Sequence, residues 1–292
     1  MPYETPAALR AALEARLLNE SRENLVDLQR LRRRAVFERV LVRLVAEHPG
    51  MWIVKGGIAL EVRMQERARA TKDLDLAIRQ EEIDGEKLRE LVIAALNSDE
   101  EGDGFTFVVG QARAISAEMG GHSGWRFAII CSLAGREFAT VRIDIVPRTA
   151  EFVDTYKTRL PGVLAFAGYP VGEIEVIGIE QHFAEKLHAL TKTYGDRPNS
   201  RVRDLADLVL LMEEGFGDLP SLRHVVEVVF EDRSTHPVPI ELPDPQKRGA
   251  KRTRTSRRCS RSSQRHWMMQ WAPCGTSGGR SLPASDQVYG QR

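Results

Sequence analysis

The sequence predicts an α/β chain of the α+β kind, with a mixed or antiparallel sheet flanked by helices and a helical domain after it. Three observations carry that expectation. β-prone runs, most of them alternating with period two, recur at 51–54, 73–78, 105–109, 125–133 and 137–146. Runs rich in Ala, Leu, Glu and Arg, with apolar residues three and four apart, occupy 6–48 and return over 179–232. Beyond Pro245 neither period persists. The expected parts are N-terminal helices over 1–50, an α/β core over 51–150, a C-terminal helical domain over 151–245, and a basic, irregular tail over 246–292, expected to be disordered.

Composition narrows the class. The chain has 292 residues, 42% of them hydrophobic, enough for one large or two modest domains with an adequate core. No apolar run is long enough to span a bilayer, so no membrane partner is expected. The first residues carry acids and lack the apolar centre of a secretory signal. Three cysteines, Cys131, Cys259 and Cys274, are scattered without metal-ligand spacing, and a reducing cytoplasm is the expected location. The net charge of +1 conceals an asymmetry. The tail from Gln246 holds eleven Lys and Arg against one acid, Asp286, leaving 31 basic and 40 acidic residues, a net of −9, in 1–245. An RNA partner would therefore need a local basic patch or the tail.

Residues 6–48 read as two helices, the first centred on 7–18. Ser21 is the expected cap of the second, with Asn24 at its third position and an apolar stripe of Leu25, Leu28, Leu31, Val36, Val40, Leu41 and Leu44. Arg30, Arg32, Arg33 and Arg34 form either a solvated helix face, the commoner case, or a contact to nucleic-acid phosphates. His48-Pro49-Gly50 closes the helix.

The stretch KGGIALEVRMQERARATKDLDL, from Lys55 to Leu76, holds the chemistry. A short buried strand leads into Gly56-Gly57, where the backbone can turn tightly and approach a ligand closely. A helix starting there points free N–H groups at an anion. In Asp73-Leu74-Asp75-Leu76-Ala77-Ile78 a strand puts both carboxylates on one face. Two adjacent carboxylates repel, and a divalent cation is the usual compensation. Mg²⁺ takes one or two carboxylates together with substrate phosphate oxygens. Lys55 is a candidate phosphate ligand and equally a strand-edge lysine. Arg67, Arg69 and Lys72 are candidates for triphosphate contact, or surface partners of the acids.

A helix over 83–96, a polar loop from Asn97, a strand over 105–109 and a loop at 118–124 follow, with His122 read as an exposed loop residue. Strands at 125–133 and 137–146 form an expected antiparallel hairpin about Gly135. The second places Arg142 and Asp144 on one face, an acid in an apolar strand that is costly unless partnered. Residues 151–176 read as a connector, with a short strand expected near 174–179. Helices at 179–193, 201–214 and 219–232 complete the ordered part, the middle one capped by Ser200. Asp204 and Asp207 share one flank of it, with Arg201, Arg203 and Lys186 as available partners.

The glycine pair in GGIAL, Arg69 and Thr71 ahead of the acids, and DLDL resemble the nucleotidyltransferase fold. More narrowly, with the AEKLHA segment around Lys186 and RVRDLADL over 201–208, the chain resembles the AbiEii/AbiGii toxin family, including the MenT-type toxins. The resemblance spans 52–239 and rests on the order and spacing of all three motifs. It implies that Gly56 and Gly57, with Lys55, Arg69, Thr71 and Lys186, hold a nucleoside triphosphate. It implies that Asp73, Asp75 and Asp144 hold Mg²⁺, that Asp144 activates an acceptor hydroxyl, and that Asp207 positions the lysine or the base.

The expected activity is then that of a Mg²⁺-dependent nucleotidyltransferase toxin of a toxin–antitoxin pair. By resemblance it adds nucleotides from an NTP such as CTP to the 3′ end of tRNA, blocks translation, and is met by a cognate antitoxin. Transfer to a small molecule or a protein, and a catalytically inactive nucleotide-binding module, are the alternatives. The tail reads either as the product of a frame change, the favoured case, or as a basic arm for RNA with Trp267 and Trp271 to stack on bases.

Overall fold

The computed structural model describes residues 3–115, 124–147, 154–193 and 201–240. His122, Ser200 and the tail fall outside these. The first two helices are α1 (Pro6–Glu23) and α2 (Leu28–Glu47). Thr5 caps α1 through the Ala8 N–H, and Pro6 takes the first turn, where its missing N–H costs nothing. The cap of α2 is Asp27, which accepts from the Arg30 N–H at 2.8 Å, and not Ser21. Ser21 lies inside α1 and Asn24 is its C-cap. Leu25 therefore falls in the turn, with φ +52° and 92% exposed, and not on the apolar stripe. A carboxylate at the cap serves both the orphan N–H groups and the helix dipole, which is why the start moves to Asp27.

Among the described residues, eight strands form one mixed sheet: β1 (Trp52–Lys55), β2 (Asp73–Ile78), β3 (Phe105–Val109), β4 (Arg113–Ile115), β5 (Gly124–Leu133), β6 (Arg136–Pro147), β7 (Thr155–Arg159) and β8 (Glu173–Ile177). They lie in the order β3-β5-β6-β2-β1-β8-β7, with β4 also on β5. The β2–β6 and β1–β8 pairs are parallel and the rest antiparallel. Ala134 and Gly135, both at positive φ, close the β5–β6 hairpin as a two-residue turn of the kind the strand twist favours. Residues 151–176, expected as a connector, contribute β7 and most of β8, so the sheet takes strands from both sides of residue 150. The connector reading fails because TYKTR has too little apolar content to announce a strand. β7 is an edge strand and needs only one partner.

One face of the sheet is dry. Leu74 and Leu76, Ile143 and Ile145, and Phe127, Ile129 and Cys131 point to the same side and share a core with α2 and with α4 (Gly85–Asn97). Two arginines on α2 are buried within this layer. Arg39 and Arg43 each reach a different oxygen of Asp103 at 2.6 Å and so anchor the polar loop before β3. The opposite face carries the alternate residues of the same strands, and at its centre these are charged.

A second apolar cluster gathers α5 (Ile179–Thr191), α6 (Val202–Glu214) and α7 (Leu219–Arg233). The helix after the glycine pair, α3 (Gly56–Met64), belongs to both. Ile58 and Ala59 enter the sheet core, while Leu60 and Met64 enter the helical cluster. Helix α6 has Arg201 at its cap position, one residue beyond the expected Ser200. No helix among the described residues is long and apolar enough to cross a membrane.

Candidate active site

Strand register assembles the charged face. Lys55 of β1 stands opposite Asp75 of β2, Asp75 opposite Asp144 of β6, Asp144 opposite Arg126 of β5, and Arg126 opposite Arg113 of β4. Opposed residues share a face, so five charged side chains form one row across five strands. In the next row Asp73 faces Arg142. The sequence pairs Asp73 with Asp75 by simple alternation. Only the parallel β2–β6 pairing, between residues 69 positions apart in the chain, puts Asp144 beside Asp75.

The glycine pair is shaped around these residues. At Gly56, where φ is +61°, a Cβ would lie 2.0 Å from Asp75 Oδ2. At Gly57 a Cβ would lie 2.5 Å from Thr71 Oγ1. The close backbone approach expected toward a ligand is thus also an approach to the protein's own Asp75 and Thr71. Thr71 in turn donates to the Asp73 carbonyl at 3.1 Å, which ties the glycine turn to the start of β2. Glu61 of α3, a residue the sequence did not single out, takes Arg30 at 2.8 Å and the Thr71 N–H at 3.4 Å. Arg30 also reaches the Ala68 carbonyl, so it braces the loop before β2. Arg32, Arg33 and Arg34 sit near Glu14, Asp27 and Glu20, so the cluster on α2 is an ion-paired helix face.

The acids differ in their partners. Arg126 grips Asp144 with two bonds, Nε to Oδ1 at 2.7 Å and Nη2 to Oδ2 at 2.6 Å. Arg142 Nε donates to Asp73 Oδ1 at 2.7 Å. Burial pushes the Asp75 carboxyl up to about 6; the Asp144 charge adds to the rise, while Lys186 and Lys55 oppose it. As placed, the described residues contain no group of three or more Asp, Glu, His or Cys able to hold a metal ion, and Asp144 and Asp73 are bonded to arginines. The donor set still suits a divalent cation. Three carboxylates lie at adjacent strand positions, and the inner one is destabilised as an anion by burial and by a like charge.

The helical half supplies a second cluster. Lys186 of α5 reaches Asp204 at 3.0 Å and Asp207 at 2.8 Å, both on α6. Arg69 holds Asp207 through Nε and Nη2, each at 2.9 Å, and Arg201 holds Asp204. Burial opposes the charge on Lys186, but Asp204 and Asp207 outweigh it and raise its pKa. Burial likewise opposes the Asp204 carboxylate, and Lys186 and Arg201 lower its pKa regardless. Of the basic residues placed beside the acids by sequence, Arg69 turns to Asp207, Arg67 to Glu213 and Glu214, and Lys72 is exposed. Lys55 Nζ pairs with Glu185 of α5 at 2.9 Å, and Arg233 of α7 lies 3.5 Å from the same carboxylate. The residues that reasoning from sequence missed are Arg126, Glu61 and Glu185. Alternation along β5 marks the face of Arg126, but nothing local marks its partner.

A family model described as nucleotidyl transferase AbiEii toxin, type IV TA system, matches residues 39–272, four-fifths of the chain and past the compositional change at 245. Solved structures resemble it loosely. One is JHP933 from Helicobacter pylori, at 19% identity and TM-score 0.39, covering 70% of this chain and 75% of that one. Another is an antigenic nucleotidyltransferase-like protein from Paracoccidioides brasiliensis, at 15% identity and TM-score 0.40, covering 68% and 88%. No curated protein sequence matches the chain.

Proposed function

The chain belongs to the nucleotidyl transferase AbiEii toxin family, and from that premise we propose that it transfers a nucleotide from an NTP to the 3′ end of tRNA in the cytoplasm, with Mg²⁺, and so blocks translation. The observation that supports this site is the Asp75–Asp144 register beside a glycine turn packed on Asp75. In this reading the N–H groups at the start of α3 bind the triphosphate, with Lys55, Arg69 and Thr71 along its edge. Asp73, Asp75 and Asp144 would hold the cation, which when bound would supply positive charge to the reacting phosphates.

Asp144 accepts the proton of the acceptor hydroxyl as that oxygen attacks the α-phosphorus. The bond to the bridging oxygen breaks and pyrophosphate leaves. Lys186 lends positive charge to the phosphates, held in place by Asp204 and Asp207. CTP is the proposed donor, and a cognate antitoxin the proposed partner.

Incubation with Mg²⁺, each α-³²P-labelled NTP in turn and total bacterial tRNA tests the proposal. Label on tRNA that vanishes in Asp75→Ala is the expected result. Label on the protein alone, or transfer that survives Asp75→Ala, would overturn it.

A further inference from the structure

The same charged face that assembles the acids also blocks two of them. Arg126 occupies both oxygens of Asp144, and Arg142 occupies one of Asp73. A guanidinium fork on a carboxylate competes directly with a cation for its oxygens and adds a repelling charge beside the site. These pairs are not built like the one between Arg69 and Asp207. There the carboxylate is 1% exposed and shared with Lys186. Arg126 and Asp144 retain 31% and 16% of their side-chain surface, and Arg142 and Asp73 retain 50% and 33%. Both arginines lie on the open face of the sheet, so their heads can leave into water without moving a strand.

Resting on the metal-site reading above, we propose that Arg126 is an internal counterion: it holds Asp144 in the cation-free protein, and a divalent cation entering the site displaces it. Arg142 does the same, more weakly, for Asp73. A displaced Arg126 stays tethered beside the site as a free cation and turns to a phosphate oxygen of the substrate. It is thus a counterion to Asp144 without the cation and a substrate-binding residue with it, and it makes metal and triphosphate binding depend on one another. Without it, Asp75 and Asp144 would share their row with Lys55, which pairs with Glu185, and with Arg113, two strands away from Asp144.

The test is Mn²⁺ binding to the full chain, followed by electron paramagnetic resonance without nucleotide, then tripolyphosphate binding at saturating Mn²⁺. Arg126→Ala should tighten Mn²⁺ binding about tenfold, the scale of a charge-assisted pair, and weaken tripolyphosphate several-fold. Arg142→Ala should tighten Mn²⁺ only about twofold, as expected for an exposed single bond. Arg126→Lys keeps the charge, loses the fork and should fall between, and it serves as the second variant should the alanine form fold poorly. Mn²⁺ binding that is lost in Asp75→Asn yet unchanged or weaker in Arg126→Ala overturns the counterion role and leaves the metal site standing. Absence of Mn²⁺ binding in the wild type and in every arginine variant overturns both.

Discussion

Two ionic clusters flank Asp75, and they are built on opposite principles. In the helical cluster Asp204 and Asp207 are 7% and 1% exposed, and each is shared between two cations. In the sheet cluster Asp144 and Asp73 each have one arginine on a partly open face. Buried, shared ion pairs break only at a large cost, because the remaining partners stay desolvated. Partly open pairs, each with a single partner, exchange that partner more cheaply. The helical cluster is therefore suited to holding Lys186 in one place, and the sheet cluster to letting its acids go.

The largest effect that sharpens this contrast is Asp207→Ala. It leaves Arg69 without its carboxylate and Lys186 with Asp204 alone, and should cost about 3–5 kcal/mol of stability. Chemical denaturation checks it, and a loss below about 1 kcal/mol would break the contrast. Gly56→Ala comes next. A side chain at φ +61° that would meet Asp75 Oδ2 at 2.0 Å should destabilise by about 2–4 kcal/mol and displace Asp75, read as a lower melting temperature and lost transfer.

Asp75→Asn has the opposite sign. The folded carboxyl titrates near 6, above its unfolded value of about 3.9, so its contribution is full below that unfolded value and is lost as pH rises through 6. Above pH 6 the carboxylate thus costs the metal-free fold on the order of 1–3 kcal/mol. The asparagine form, inactive in transfer, should melt higher than the wild type at pH 7.5 without metal. The gap should close as pH falls toward 4, and equal melting at pH 7.5 would contradict the strain on Asp75. The smallest effect is Arg67→Ala, which removes half-exposed pairs to Glu213 and Glu214 and should change stability by no more than about 0.5 kcal/mol.

Much of the fold was legible because its signals are local. The alternation in DLDLAI, FTFVV and VRIDIV marks strands, and the helices over 179–191 and 202–214 follow their apolar spacing. Features with weak local signals were missed or misread. β4 has three residues, and β7 is polar and lies at an edge. The α2 cap turned on whether Ser21 or Asp27 would be used, and both are good cap residues.

By itself the sequence determined the strand–glycine–helix order, the shared face of Asp73 and Asp75, and the family. Periodicity and turn chemistry act between neighbours a few residues apart, so a single chain read in order contains them. Only the tertiary structure decided that Asp144 stands beside Asp75, that Arg126 holds it, that Glu185 takes Lys55, and that Lys186 lies between two buried aspartates. Those are choices of partner among many equally charged residues. Strand register and helix packing across long stretches of chain make that choice, and no local pattern encodes it.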